Sequence, residues 1–285
     1  MTTVLITGAT GKHGGFLIRN LVQRKASFEI PAVIRDPASA SAQKLAKLST
    51  NIKLVQGDLG NPVGIFQNAQ QLTKSPIWGV YSVQAAIGNS DEETQGKALM
   101  DESIKQKVKF FVYSSVDHGG EKNSFKNSTK IPHSIKKHNI EHHLVGRTKK
   151  ARGNGNGESE GRMEWTILRP AAFYENLTPD FFGKVFVTCF KMSLAGKPLQ
   201  LRIFLKPEEY KGRAISLAGD ELTFDGMNAI FQEKMGKTLP ITFRPFCSLF
   251  MATMKDMGYV FSLRVVNPEM KDFLTWLEKE SGFRN

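Results

Sequence analysis

Three glycines, Gly8, Gly11 and Gly14, recur every third residue within Thr7-Gly8-Ala9-Thr10-Gly11-Lys12-His13-Gly14. Glycine admits backbone geometry that a side chain forbids, so the set reads as a tight turn that a ligand can approach closely. The apolar run Val4-Leu5-Ile6 comes before it, and a run with helical spacing (Phe16, Leu17, Leu21, Val22) comes after. That order aims a helix N-terminus, with its N–H groups and partial positive charge, at whatever sits over the turn. Pyrophosphate binding is the chemistry it suits, and the strand and helix on either side separate it from an ordinary glycine-rich turn. Thr10, Lys12 and His13 belong to the same loop and count as candidate contacts.

Ligands of an open parallel sheet bind outside the C-terminal ends of the strands, where the strand order reverses. The second apolar run ends at Ile34-Arg35-Asp36-Pro37. An acid at that tip bonds the ribose diol of NAD, whereas an arginine suits the 2′-phosphate of NADP. Arg35, with Lys12 in the glycine loop, therefore points to NADP(H). A guanidinium grips phosphate through paired donors, and a nearby ammonium adds charge. Asp36 keeps NAD as the minority option. The third run ends at Gln56-Gly57-Asp58-Leu59, where Asp58 can accept from an adenine amino group or N-cap the next helix. The fourth ends at Ser82-Val83-Gln84, which puts Ser82 and Gln84 near a nicotinamide ribose. The fifth ends at Ser114-Ser115, with Ser115 as its candidate, followed by Val116, Asp117 and His118.

The elements that must position these residues alternate along the first half of the chain. Strands are expected at Thr3–Thr7, Ile30–Ile34, Ile52–Val55, Gly79–Val83 and Phe110–Ser114, with Thr166–Leu168 later. Helices are expected at Gly14–Gln23, Ala40–Leu48, Pro62–Leu72, Glu92–Gln106 and His133–Val145. Continuously apolar, β-branched strands between helices predict a doubly wound parallel α/β sheet, Rossmann-like, with right-handed crossovers. Arg152–Gly161 reads as an exposed glycine-rich connection. After Arg169-Pro170 the chain turns Phe- and Met-rich, around Phe181–Leu194 and Phe246–Met257, and ends in a helix near Pro268–Ser281. This predicts a dinucleotide-binding domain over 1–175 and a smaller α/β lobe over 176–285, the two intermixed.

Composition narrows the partners. At 285 residues, 40% hydrophobic and 23% charged, the chain has the make-up of a soluble globular protein. No apolar run approaches the ~18 residues a bilayer span needs, and the N-terminus enters a strand directly, so neither membrane nor secretion is expected. Cys189 and Cys247 lie far apart among apolar neighbours and read as buried free thiols. His138 and His142 stand four apart but lack a third ligand, so no metal site is expected. The net charge of +12 is concentrated: residues 121–152 hold nine Lys/Arg against two Glu. Phe125 is the only aromatic residue there, which argues against direct nucleic-acid binding by base stacking.

The motifs Thr7–Gly14, Val33–Pro37, Gln56–Leu59 and Leu168-Arg169-Pro170-Ala171-Ala172-Phe173-Tyr174-Glu175-Asn176-Leu177 together resemble the NmrA-like family, a branch of the atypical short-chain dehydrogenase/reductases. The resemblance implies an NADP(H)-preferring dinucleotide fold. It also implies two kinds of member, reductases and non-catalytic sensors of the NADP pool that bind a regulatory partner. On the same footing, Lys137 is the family lysine that holds the nicotinamide ribose, and Phe173 lies at the turn beside the nicotinamide. Active short-chain dehydrogenases carry a tyrosine four residues before that lysine as proton donor, and a non-tyrosine variant is common in the NmrA-like branch. Here the position is His133, in Pro132-His133-Ser134-Ile135-Lys136-Lys137. After Gly196–Leu201 the family usually continues through one further strand and helix, whereas here Arg202–Lys206 joins directly to Pro207–Gly212.

These residues lead to one expectation: an NADP(H)-binding redox sensor or regulator without the usual tyrosine, located in the cytoplasm with the nucleus left open. The competing expectation is an NADPH-dependent reductase of a small carbonyl, quinone or ene substrate, with His133 and Lys137 as the catalytic pair.

Overall fold

The computed structural model describes residues 1–85, 91–118, 120–129, 132–153, 163–170, 204–217, 224–240, 273–279 and 281–283, with Pro179 and Lys184. Its centre is a seven-stranded sheet of order β3-β2-β1-β4-β5-β6-β7. The strands are β1 (Thr2–Ile6), β2 (Phe28–Ile34), β3 (Ile52–Gln56), β4 (Ile77–Ser82), β5 (Phe110–Ser114), β6 (Glu164–Pro170) and β7 (Arg213–Leu217). Every registered pair from β3 across to β6 is parallel. Strand order reverses between β1 and β4, the switch point where such sheets bind ligands.

Burial explains the strand sequences. All seven residues of β2 and all five of β5 are buried, whereas β3 at the sheet edge is only partly covered and leaves Gln56 exposed. Buried central strands read as continuous apolar runs because helices cover both faces. The helices are α1 (Lys12–Gln23), α2 (Ala40–Ala46), α3 (Pro62–Leu72), α4 (Glu92–Lys105), α5 (Glu121–Ser124), α6 (Pro132–Gly153), α7 (Pro207–Tyr210), α8 (Phe224–Met235) and α9 (Phe273–Lys279).

Two differences from the sequence expectation have physical causes. α1 starts at Lys12, not Gly14, because Gly14 and Gly15 form its buried face rather than its entry. α6 runs on past Val145, with Thr148 Oγ1 donating to the Leu144 carbonyl and Arg147 and Lys149 in its later turns. Basic groups toward a helix C-terminus suit its dipole. β7 and α8 had no counterpart in the expectation.

The chain divides into two compact units. One comprises Met1–Ser115, Lys136–Leu168 and Gln200–Ala214; the other comprises Val116–Ile135, Arg169–Leu199 and Ile215–Asn285. The first has its core along β1, β4 and β5, where Phe204 packs edge-on against Phe110 (centroids 6.0 Å apart) and Tyr81 (6.4 Å). Phe204 comes from the short join Arg202–Lys206 and is buried. In the second unit Phe231 of α8 packs on Phe283, just past α9, at 5.0 Å, and Lys234 of α8 pairs with Glu278 of α9. Among the described residues no helix is long and apolar enough to cross a membrane. No group of three or more His, Cys, Asp or Glu among them is placed to hold a metal ion. Cys189, Cys247 and the stretches 185–200 and 241–272 lie outside the described residues.

Candidate functional site

The glycine turn is built by steric exclusion. Gly8 has φ +59°, a left-handed conformation, and a Cβ there would lie 2.7 Å from Val83 Cγ1. A Cβ on Gly14 would lie 2.5 Å from the Thr7 carbonyl and 2.6 Å from that of Gly8, so only glycine lets α1 sit this close to the end of β1. Gly11 donates its N–H to the Gly8 carbonyl at 2.9 Å and accepts from Gly15. As N-cap of α1, Gly11 brings no capping side chain, and the first turn holds no acid. The positive helix end is therefore not neutralised by its own residues.

Thr7 ties the turn to β4. Its Oγ1 donates toward the Val83 carbonyl and accepts from the Val83 N–H at 2.8 Å, while its own N–H bonds the Tyr81 carbonyl. Over this junction lies a cavity of about 580 Å³, lined by Thr7–Gly11, Val33–Arg35, Gly57–Leu59, Val83, Ala85 and Gln95. It opens at the C-terminal ends of β1 to β4, within the first unit.

Gly8, Thr10, Gly11, Arg35 and Asp58 thus share one cavity, as their positions at strand ends predict. Arg35 is exposed, and among the described residues its guanidinium has no hydrogen-bond or ion-pair partner. Asp36, in contrast, engages its Oδ1 with the Ala38 N–H at 2.9 Å in a local turn. Asp58 does not cap α3. Its Oδ1 accepts from the Gly60 N–H at 2.7 Å, and Asn61 is the N-cap, accepting from the Gly64 N–H. The capping alternative for Asp58 is therefore replaced by a brace within its own loop. Lys12 is exposed at the start of α1.

The other candidates lie off the lining of that cavity. His13 Nδ1 bonds Ser114 Oγ at 3.0 Å, so its ring joins α1 to the tip of β5. Ser82 and Gln84 are buried, Gln84 Nε2 donating to Ser82 Oγ at 2.8 Å and Gln84 Oε1 accepting nothing among the described residues. Ser115 is buried, donates its N–H to the Leu168 carbonyl, and has no hydrogen-bond partner for Oγ among the described residues. Lys137 is buried in α6 with its Nζ 2.8 Å from Glu92 Oε1, an ion pair whose alignment falls short of a hydrogen bond. The same ammonium lies 5.9 Å from the centre of the Tyr113 ring. His133 is the second residue of α6, and Phe173 lies outside the described residues.

Sequence reasoning missed Gln95 on the cavity wall and Glu92 beside Lys137. Glu92 opens α4, where an acid ordinarily means only a favourable helix dipole. Its full burial gave no local signal. Burial also pushes the phenols upward: Tyr81 is raised chiefly by desolvation, and Tyr113 by desolvation and then by the carboxylates of Glu92, Glu141 and Glu93.

Comparison with known proteins accords with this construction. Residues 1–150 match the NmrA-like family. The NmrA-like family domain-containing oxidoreductase ptmS of Penicillium ochrochloron is 31% identical over 122 residues, 39% of this chain. The match spans about a third (33%) of that protein's length. Among solved structures, a doubly substituted mutant of NmrA superposes with a TM-score of 0.66 at 16% identity, covering 98% of this chain and 95% of that one. The NADPH-dependent quinone oxidoreductase QOR2 of Escherichia coli, solved with NADPH, gives 0.59 at 18% identity, covering 89% and 86%. These likenesses share the parallel sheet, and the glycine turn and strand tips up to Ser115 fall within the residues that match the family. The chain belongs to the NmrA-like family.

Proposed function

We propose that this protein binds NADP(H) and reports its redox state or level to a regulatory protein partner. The observation that carries the cofactor choice is the pairing of Arg35 and Asp36 at the end of β2. The guanidinium is exposed on the cavity wall without a partner among the described residues, while the neighbouring carboxylate is engaged in its own turn. A 2′-phosphate needs a cation there, and a bare ribose diol needs an acid. The pyrophosphate lies over Gly11–Gly14, at the helix end that these glycines let sit close to β1, and Lys12 adds a second cation at the 2′-phosphate. Ser82, Gln84, Ser115 and Lys137, with Phe173, serve the nicotinamide half. The dinucleotide, when bound, supplies hydride chemistry; the chain's own residues bind and orient it.

The sensor reading is supported by the residue four before Lys137, which is His133 rather than tyrosine. A reductase of a small carbonyl, quinone or ene substrate is the second reading, favoured by the oxidoreductase names of its relatives. An imidazole there can still donate a proton near neutral pH. NADPH oxidation measured across carbonyl, quinone and ene compounds separates the two. The sensor reading expects binding without turnover; turnover that disappears in His133→Phe would overturn it.

A further inference from the structure

Glu92 has no exposed surface, and Lys137 facing it keeps only 6% of its own. Taking both charges out of water is costly, and attraction offsets that cost only with good geometry and further hydrogen bonds. Here neither carboxylate oxygen of Glu92 accepts a hydrogen bond among the described residues. Helix packing does not need the pair. One turn further on, Ile140 of α6 fills the space a Cβ on Gly96 of α4 would take, its Cδ1 2.6 Å from that position. An apolar pair at 92 and 137 would hold the helices together as well or better. What the ion pair provides is an amine held in one place beside β5, 5.9 Å from the centre of the Tyr113 ring.

We propose that Glu92 is a positioning residue of the dinucleotide site, its buried carboxylate holding the Lys137 amine in place and aimed at the nicotinamide-ribose diol. The proposal rests on the NADP(H) reading above. Glu92 acts through the lysine because it is fully enclosed, while the sliver of exposed surface belongs to Lys137. An ammonium has three donors, so one can face the carboxylate and others the ribose oxygens. The other charged or titratable groups around the pair are Glu93 on α4, Glu141 on α6 and Tyr113 on β5, with Lys136 and His138 flanking the lysine. Tyr113 stays neutral well past its ordinary range, because burial and the three carboxylates oppose its ionisation. It is therefore no counter-ion for the lysine.

The test compares wild type, Glu92→Gln and the double variant Glu92→Gln/Lys137→Met, each checked for folding by circular dichroism. In the protein without dinucleotide, acylation of Lys137 by acetic anhydride is followed against pH by mass spectrometry. Loss of the carboxylate leaves a buried ammonium unpaired, so the profile moves to lower pH by about two to three units in Glu92→Gln. NADPH titrated at pH 7 and pH 9 then binds about tenfold more weakly at the higher pH in Glu92→Gln, with less than about twofold change in wild type. The double variant loses this pH dependence. An unmoved acylation profile, a flat NADPH response in Glu92→Gln, or a pH dependence that survives in the double variant each overturns the proposal. Failure of wild type to bind any dinucleotide overturns the NADP(H) reading itself and this proposal with it; failure of the pH response alone leaves that reading standing.

Discussion

At the scale of single residues, the turn tolerates almost no change. Gly14→Ala drives a methyl into the Thr7 and Gly8 carbonyls, and overpacking of this kind costs about 1–3 kcal/mol. We expect a lowered urea midpoint with dinucleotide binding lost, whereas Gly146→Ala, whose Cβ meets nothing within 4 Å, leaves binding unchanged. Equal behaviour of the two variants would show that helix–strand approach is not what the glycines serve. This much was legible in the chain, since glycine spacing between an apolar run and a helical run has few other uses. The partners of individual side chains were not. Asp58 and Asn61 both look like caps, and only the path of the loop decides that Asn61 does the capping. His13 looks like a loop contact and proves to face Ser114, a residue 101 positions away.

At the scale of elements, the Lys137–Glu92 pair joins α6 to α4 and ties the loss of either partner to the other. Lys137→Met alone strands a buried carboxylate, and breaking one side of a buried pair costs about 3–5 kcal/mol. Lys137→Met combined with Glu92→Gln removes the stranded charge, so chemical denaturation should find the double variant more stable than the single one. A double variant no better than the single would mean that the carboxylate is compensated elsewhere. The sheet also carries a pH signature. Tyr81 and Tyr113 have folded-state pKa values raised above the ordinary 10.0. Above that value the unfolded chain releases protons that the folded chain retains, so stability falls as pH rises. Denaturant unfolding between about pH 9 and 11 should show this fall, and Tyr113→Phe should reduce its slope; an unchanged slope would assign the alkaline loss to other groups. Strand and helix positions in the first half followed from periodicity, because buried parallel strands and their crossover helices have distinct apolar patterns. The length of α6 did not, since its later turns are polar and basic and resemble a loop.

At the scale of the whole molecule, the fold class was legible from the alternation of elements, and the parallel sheet followed from it. The interleaving of the two units was harder to see: residues 136–168 and 200–214 return to the first unit after intervening stretches have joined the second. Such returns depend on contacts between distant positions, as when Phe204 packs on Tyr81, and local patterns do not encode them. The role proposed for the cavity at the β1/β4 switch point is to take NADP(H) and read its 2′-phosphate through Arg35. Direct titration of wild type and Arg35→Ala with NADPH and NADH tests it. Wild type should prefer NADPH. Arg35→Ala should weaken NADPH about 10- to 100-fold, the worth of ~1.5–3 kcal/mol for hydrogen bonds to a charged group, and leave NADH nearly unchanged. Equal affinities for the two dinucleotides in wild type, or an Arg35→Ala effect that falls equally on both, would contradict it.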